Sequence, residues 1–174
     1  MIYLSYVSKE KILSILIGIL PISYIFGTLI VNINIILIVF SGIIIFFKGK
    51  RVVVTNIDLL VILFFLYVLY TGIYNTIEIN FFKQNEKGDF YILNKSIFFL
   101  RYLFLYFSIR LLIENKLINF KIIFYFYSIV VLFVIFDVIY QFFIGNDIFG
   151  FVSPFAHKNT GPFFDEAIAG GFIQ

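Results

Sequence analysis

Long uncharged apolar runs, separated by short polar or charged stretches, make up nearly the whole chain. The first, residues 12–47, holds 36 residues without a charge. As one helix it would reach about 54 Å, well past the about 30 Å of a bilayer's hydrocarbon core. It therefore has to fold back on itself. Gly27, Asn32 and Asn34 supply the turn chemistry near its middle, which predicts helices over 12–26 and 33–47, with Pro21 kinking the first. Three further runs predict helices over 59–74, 97–113 and 122–143. No internal repeat or Gly/Ser linker interrupts them.

Composition agrees with the pattern. Apolar residues make up 62% of the chain and charged residues 13%, and the mean hydropathy is +1.06, far from soluble averages. The expected fold class is an all-α integral membrane protein with five transmembrane helices. With 12 Tyr and no Trp, interfacial anchoring falls largely to tyrosine. The absence of cysteine excludes disulfides and thiolate metal sites. The net charge of +3 is spread between apolar runs rather than gathered in a stripe, a pattern of topology and not of nucleic-acid binding.

The charges also predict sidedness. A hairpin over 12–47 returns Lys48, Lys50 and Arg51 to the side of Lys9 and Lys11. Alternating through the later helices adds Arg110, Lys116 and Lys121 to that side, against Lys83, Lys87, Lys95 and Lys158 on the other. Positive residues collect inside, so the N-terminus is expected to be cytoplasmic. Residues 75–95 then form an external mixed-charge loop, and residues 144–174 an external loop leading into a sixth helix that the chain does not complete.

Two ionisable residues fall inside the predicted spans, where a charge is costly enough to raise a functional question. Arg101 lies about 6 Å from the outer end of its helix and Asp137 about 9 Å from the outer end of its own, by helical rise. Either they form a structural ion pair, with snorkelling as the alternative for Arg101, or Arg101 faces an outward cavity and grips an anion through its planar, two-pronged guanidinium.

The last thirty residues, GNDIFGFVSPFAHKNTGPFFDEAIAGGFIQ, carry most of the remaining chemistry. Pro162 suits the first turn of a helix, and Asp165 and Glu166 complement the positive end of a helix dipole. Such capping is the plain reading of those carboxylates. Residues 167–171 offer a small-residue face for close packing. His157 is the sole histidine, which argues against an imidazole metal site, and no glycine-rich phosphate loop is present. Neither a metal nor a cofactor is expected.

The segments YQFFIGNDIFGF (Tyr140 to Phe151) and KNTGPFFDEAIAGGFI (Lys158 to Ile173) resemble the middle of bacterial Wzy-type O-antigen polymerases, within the O-antigen ligase superfamily. Gln141, Gly145, Asp147 and Gly150 fit its aromatic-Gln-aromatic-Gly pattern at a helix end. Gly161, Phe163, Asp165 and Glu166 fit its outer-loop pattern Arg-x-x-Gly-x-Phe-x-Asp-Glu. Where that pattern has arginine this chain has Lys158, which keeps the charge and loses the fork. The stretches IFGTLIVNINIILIVF and SIFFLRYLF extend the likeness over most of the chain.

The resemblance implies a membrane glycosyltransferase that polymerises or ligates oligosaccharide units carried on polyprenyl pyrophosphate at the outer leaflet. It implies further spans and a second external loop beyond Gln174, and partners such as a chain-length regulator. Lys158 with Asp165 or Glu166 would be catalytic, and Arg101, His157, Gln141 and Asp147 would bind substrate. A polysaccharide-lipid flippase or other transporter, and a non-enzymatic membrane subunit, are the competing expectations.

Overall fold

A computed structural model describes residues 2–82, 90–155, 158–163 and 169–173. Among them the chain is helical: α1 (Ile2–Gly18), α2 (Leu20–Ile25), α3 (Thr28–Phe47), α4 (Asn56–Phe82), α5 (Tyr91–Phe99), α6 (Arg101–Glu114), α7 (Phe120–Ile144) and α8 (Ala169–Ile173), with a 3-10 turn at Gly161–Phe163. Four stretches are long and apolar enough to cross a membrane: Thr28–Phe47, Asn56–Glu78, Tyr91–Glu114 and Phe120–Ile144. Large apolar side chains such as Phe40, Leu63, Phe104 and Phe136 stand exposed along them, an arrangement that lipid tolerates and water does not. The chain is a multi-pass membrane protein.

Several expected boundaries shift. The first predicted helix starts at Ile2 instead of 12 and is two helices, broken at Ile19. The cause is Pro21, which has no N–H to give to the carbonyl of Ile17 and sits in the first turn of α2, where helices tolerate it. Asn32 and Asn34 lie inside α3, so Gly27 alone makes the turn, at φ +96°. Asn34 Nδ2 donates to Ser23 Oγ at 2.8 Å, while its Oδ1 is buried without a partner. Residues 75–82, expected in a loop, continue α4. There Thr76 returns its hydroxyl to the carbonyl of Gly72 at 2.7 Å, so a polar residue does not end the helix. The predicted helix 97–113 begins at Tyr91 and is interrupted at Leu100.

The chain divides into two compact units, one of Met1–Ile38 and Lys116–Gln174, the other of Val39–Asn115. In the first, α1 packs along α7. Gly18 admits the ring of Phe126, which a Cβ would meet at 3.1 Å. Ser14 Oγ accepts the backbone N–H of Asn119 at 2.7 Å, and the Asn119 side chain caps α7 by accepting from the N–H of Lys121. A core of Ile25, Val130, Val134, Phe163 and Ala169 joins α2, α7, the 3-10 turn and α8.

In the second unit α4 packs on α5, with Gly72 so close to Ser96 that a Cβ would overlap its hydroxyl. Gly42 of α3 lies similarly on Ser108 of α6, whose Cα is 2.9 Å from where a Cβ would stand. Small residues thus bring membrane helices together; of the expected 167–171 face, residues 167 and 168 lie outside the described residues. Of that face Ala169 is buried, whereas Gly170 and Gly171 are exposed with nothing within 4 Å of an added Cβ.

Candidate functional site

The buried stripe of α7 is Val130, Val134, Asp137 and Gln141, at the alternating four- and three-residue spacing that keeps side chains on one helix face. Its first half is apolar and joins the core. Its second half is polar and receives the loop that follows Gly145.

Gln141 is the clasp of that loop. Its Oε1 accepts the N–H of Gly161 at 2.9 Å, and its Nε2 donates to the carbonyl of Phe151 at 3.4 Å. One side chain therefore holds both arms, the outgoing one through Phe151 and the returning one through Gly161. One turn earlier, Asp137 Oδ1 accepts the N–H of Ile148 at 2.8 Å. Asp147 closes the outgoing arm: its Oδ1 accepts from the N–H of Phe151 at 2.6 Å, and its own N–H donates to the Phe151 carbonyl at 2.9 Å. An isolated bridge between Asn146 and Val152 completes this small hairpin.

The returning arm lies flat on α7. Asn159 Nδ2 donates to the carbonyl of Val138 at 3.4 Å, and Thr160, Gly161, Pro162 and Phe163 are buried. Gly161 has φ +58°, and a Cβ there would stand 2.8 Å from Val138 Cγ2, so both backbone and space require glycine. Asp137 Oδ2, buried without a hydrogen-bond partner, lies 3.9 Å from that same Cβ position. Pro162 sits in a 3-10 turn, as its fixed φ favours.

Between the arms, Ser153 and Phe155 are tied to Lys158. Ser153 Oγ donates to the carbonyl of Lys158 and accepts the N–H of Phe155, while the Lys158 N–H donates to the carbonyl of Phe155 at 3.4 Å. The Lys158 side chain is exposed. Lys158 is thus held through main chain and Ser153, and its ammonium is left to solvent.

Of the expected site residues, Gln141, Asp147 and Lys158 are gathered in this one loop structure, the first two buried in its framework. His157, Asp165 and Glu166 lie outside the described residues. Arg101 belongs to the other unit, where it opens α6. Its Nη2 donates to Tyr102 Oη at 3.1 Å, its guanidinium lies 4.9 Å from the centre of that ring, and its Nε is buried without a partner. Among the described residues no three His, Cys, Asp or Glu side chains stand together as metal ligands would.

A second polar centre, which sequence reasoning missed, occupies that other unit. Fully buried Asp58 accepts from Tyr106 Oη at 2.6 Å and Arg110 Nε at 3.2 Å on Oδ1, and from Thr55 N and Thr55 Oγ1 at 2.7 Å each on Oδ2. Arg110 also meets Glu114 at 3.2 Å. The signal was present: Thr55 and Asp58 have capping-box spacing at the start of α4, and Tyr106 and Arg110 share one face of α6.

The clasp can be tested. Replacing Gln141 by alanine strands the buried N–H of Gly161, a loss of about 1–3 kcal/mol. Because the chain lacks cysteine, Thr160→Cys supplies a single buried thiol. Its labelling rate is expected to rise roughly tenfold or more when Gln141→Ala is added; equal rates would mean that the clasp does not hold the loop. Comparison with family models, curated proteins and solved structures found no match.

Proposed function

We propose that this protein is a membrane-embedded glycosyltransferase of the O-antigen polymerase or ligase kind, acting on polyprenyl-pyrophosphate-linked oligosaccharide at the outer face of a bacterial inner membrane. The reading rests on one arrangement: a cation, Lys158, displayed on a loop that is clasped to the end of a spanning helix by Gln141 and Asp137 and closed on itself by Asp147. A site for a lipid diphosphate needs an exposed positive group held at fixed height near the headgroups, on a support that does not consume its charge. The sidedness is inferred from the Lys/Arg distribution, in which the five crossings expected from the sequence would put the loop outside.

In the reaction, a sugar hydroxyl of one unit attacks the anomeric carbon of another chain. The bond from that carbon to the pyrophosphate oxygen breaks, and the lipid diphosphate leaves with the electron pair. Lys158 stabilises the leaving charge, and Asp165 or Glu166 takes the hydroxyl proton. Gln141 and Asp147 hold the sugar-facing loop in shape, and His157 is assigned to binding the sugar. A chain-length regulator is a natural partner for such an enzyme.

Inactivating the gene tests this directly. The expected result is surface glycan reduced to single repeat units on its lipid carrier. The second reading, a flippase or other transporter, takes its support from the buried, unpartnered oxygen of Asp137 inside a spanning helix. It predicts repeat units trapped on the inner leaflet, and that outcome would displace the polymerase reading. Polymer of unchanged length and amount would contradict both.

A further inference from the structure

In the unit Val39–Asn115 a groove of about 530 Å³ runs between α3 and α6, within the about 300–1,000 Å³ typical of small-molecule sites. Its walls are apolar: Gly42, Ile43 and Phe46 from α3, Phe104, Phe107 and Leu111 from α6, and Val52 and Val54 from the connection to α4. Ser108 lies where the two helices touch, and the one charged lining residue is Arg51. Phe104 to Leu111 spans about 10 Å of helix axis, so the groove is long as well as apolar.

Its depth decides what fits. The two helices that flank residues 48–55 each have the length and hydropathy of a membrane span, so this connection lies at a membrane boundary. Arg51 therefore stands at headgroup level, and Phe46, Phe104 and Phe107 at acyl-chain level. Charge points the same way. At this end of the unit the sequence places four cations, Lys48, Lys50, Arg51 and Arg110, against two carboxylates, Asp58 and Glu114. Both carboxylates are already engaged by Arg110, and Glu114 Oε2 also accepts the N–H of Val53 at 3.1 Å. Lys48, Lys50 and the exposed Arg51 are left to face the boundary.

We infer that this groove is a binding site for one anionic phospholipid, its acyl chain along the Ile43, Phe46, Phe104 and Phe107 walls and its phosphate on Arg51. An anionic headgroup gains from such juxtamembrane basic residues, and an apolar groove open to the bilayer is filled by a chain rather than by water. The site is independent of the outer loop and of the activity proposed for it.

The chain has no tryptophan, so Phe46→Trp installs a single indole in the groove wall. With this variant of the whole protein in vesicles, brominated phosphatidylglycerol is expected to quench it at lower mole fraction than brominated phosphatidylethanolamine. Adding Arg51→Gln should reduce that preference about fivefold, whereas Lys121→Gln, on the other unit, should leave it unchanged. Equal quenching by the two lipids, or a preference that survives Arg51→Gln, would overturn the inference. Absence of quenching by either lipid would overturn it too, since protein would then occupy the groove.

Discussion

Lys158→Ala is expected to insert and fold like the parent protein yet to extend glycan chains about a hundredfold more slowly, the loss of roughly 3 kcal/mol of transition-state stabilisation. Folding is spared because the contacts that tie Lys158 to Ser153 and Phe155 use its carbonyl and N–H, which alanine retains. Only the exposed ammonium disappears. Membranes from such a strain should accumulate single lipid-linked units. Lys158→Arg should keep or raise the rate, because it adds the two-pronged donor that diphosphate oxygens accept. Long polymer made by Lys158→Ala would reduce the loop to a scaffold and remove Lys158 from the chemistry.

Asp58→Ala acts on stability instead. The carboxylate is fully buried and accepts from Thr55, Tyr106 and Arg110. Its removal uncaps α4, strands the Tyr106 hydroxyl and leaves Arg110 with Glu114 as its remaining ion-pair partner shown here. The expected outcome is the largest fall in Tm and in membrane yield of any substitution discussed, several degrees at least. Asp58→Asn should fall between, keeping an acceptor and losing the charge. The double variant Asp58→Ala with Arg110→Leu should recover part of the loss, since the unpaired charge is the costly element. Unchanged Tm for Asp58→Ala, or a double variant no better than the single, would show that the network carries little.

The long apolar runs were legible because an unbroken apolar stretch of this length satisfies its backbone in lipid as a helix: residues 122–143 were expected and Phe120–Ile144 is found. Polar residues inside helices were harder to read. Asn34 carries the residue type of a turn, and only its tertiary bond to Ser23, eleven positions earlier, shows why α3 runs through it. Thr76 bonds to its own helix for the same effect. Gln141 and Asp147 could be singled out by their spacing within a resemblance. That they bind the loop's own backbone could not, because main-chain donors such as the N–H groups of Ile148, Phe151 and Gly161 leave no mark in residue types. Thr160 reads as a loop-tip residue and is buried because Gly161 lets the returning arm lie flat on α7.

Everything proposed for the loop requires that it face outward while residues 48–51 face the cytoplasm. In this cysteine-free chain, single substitutions Phe155→Cys and Lys50→Cys place a thiol at two exposed positions, one on each side of the expected topology. A membrane-impermeant maleimide applied to intact cells should label the cysteine at 155, and should reach the one at 50 only after the membrane is permeabilised. Labelling at 50 and protection at 155 in intact cells would invert the topology and contradict the account.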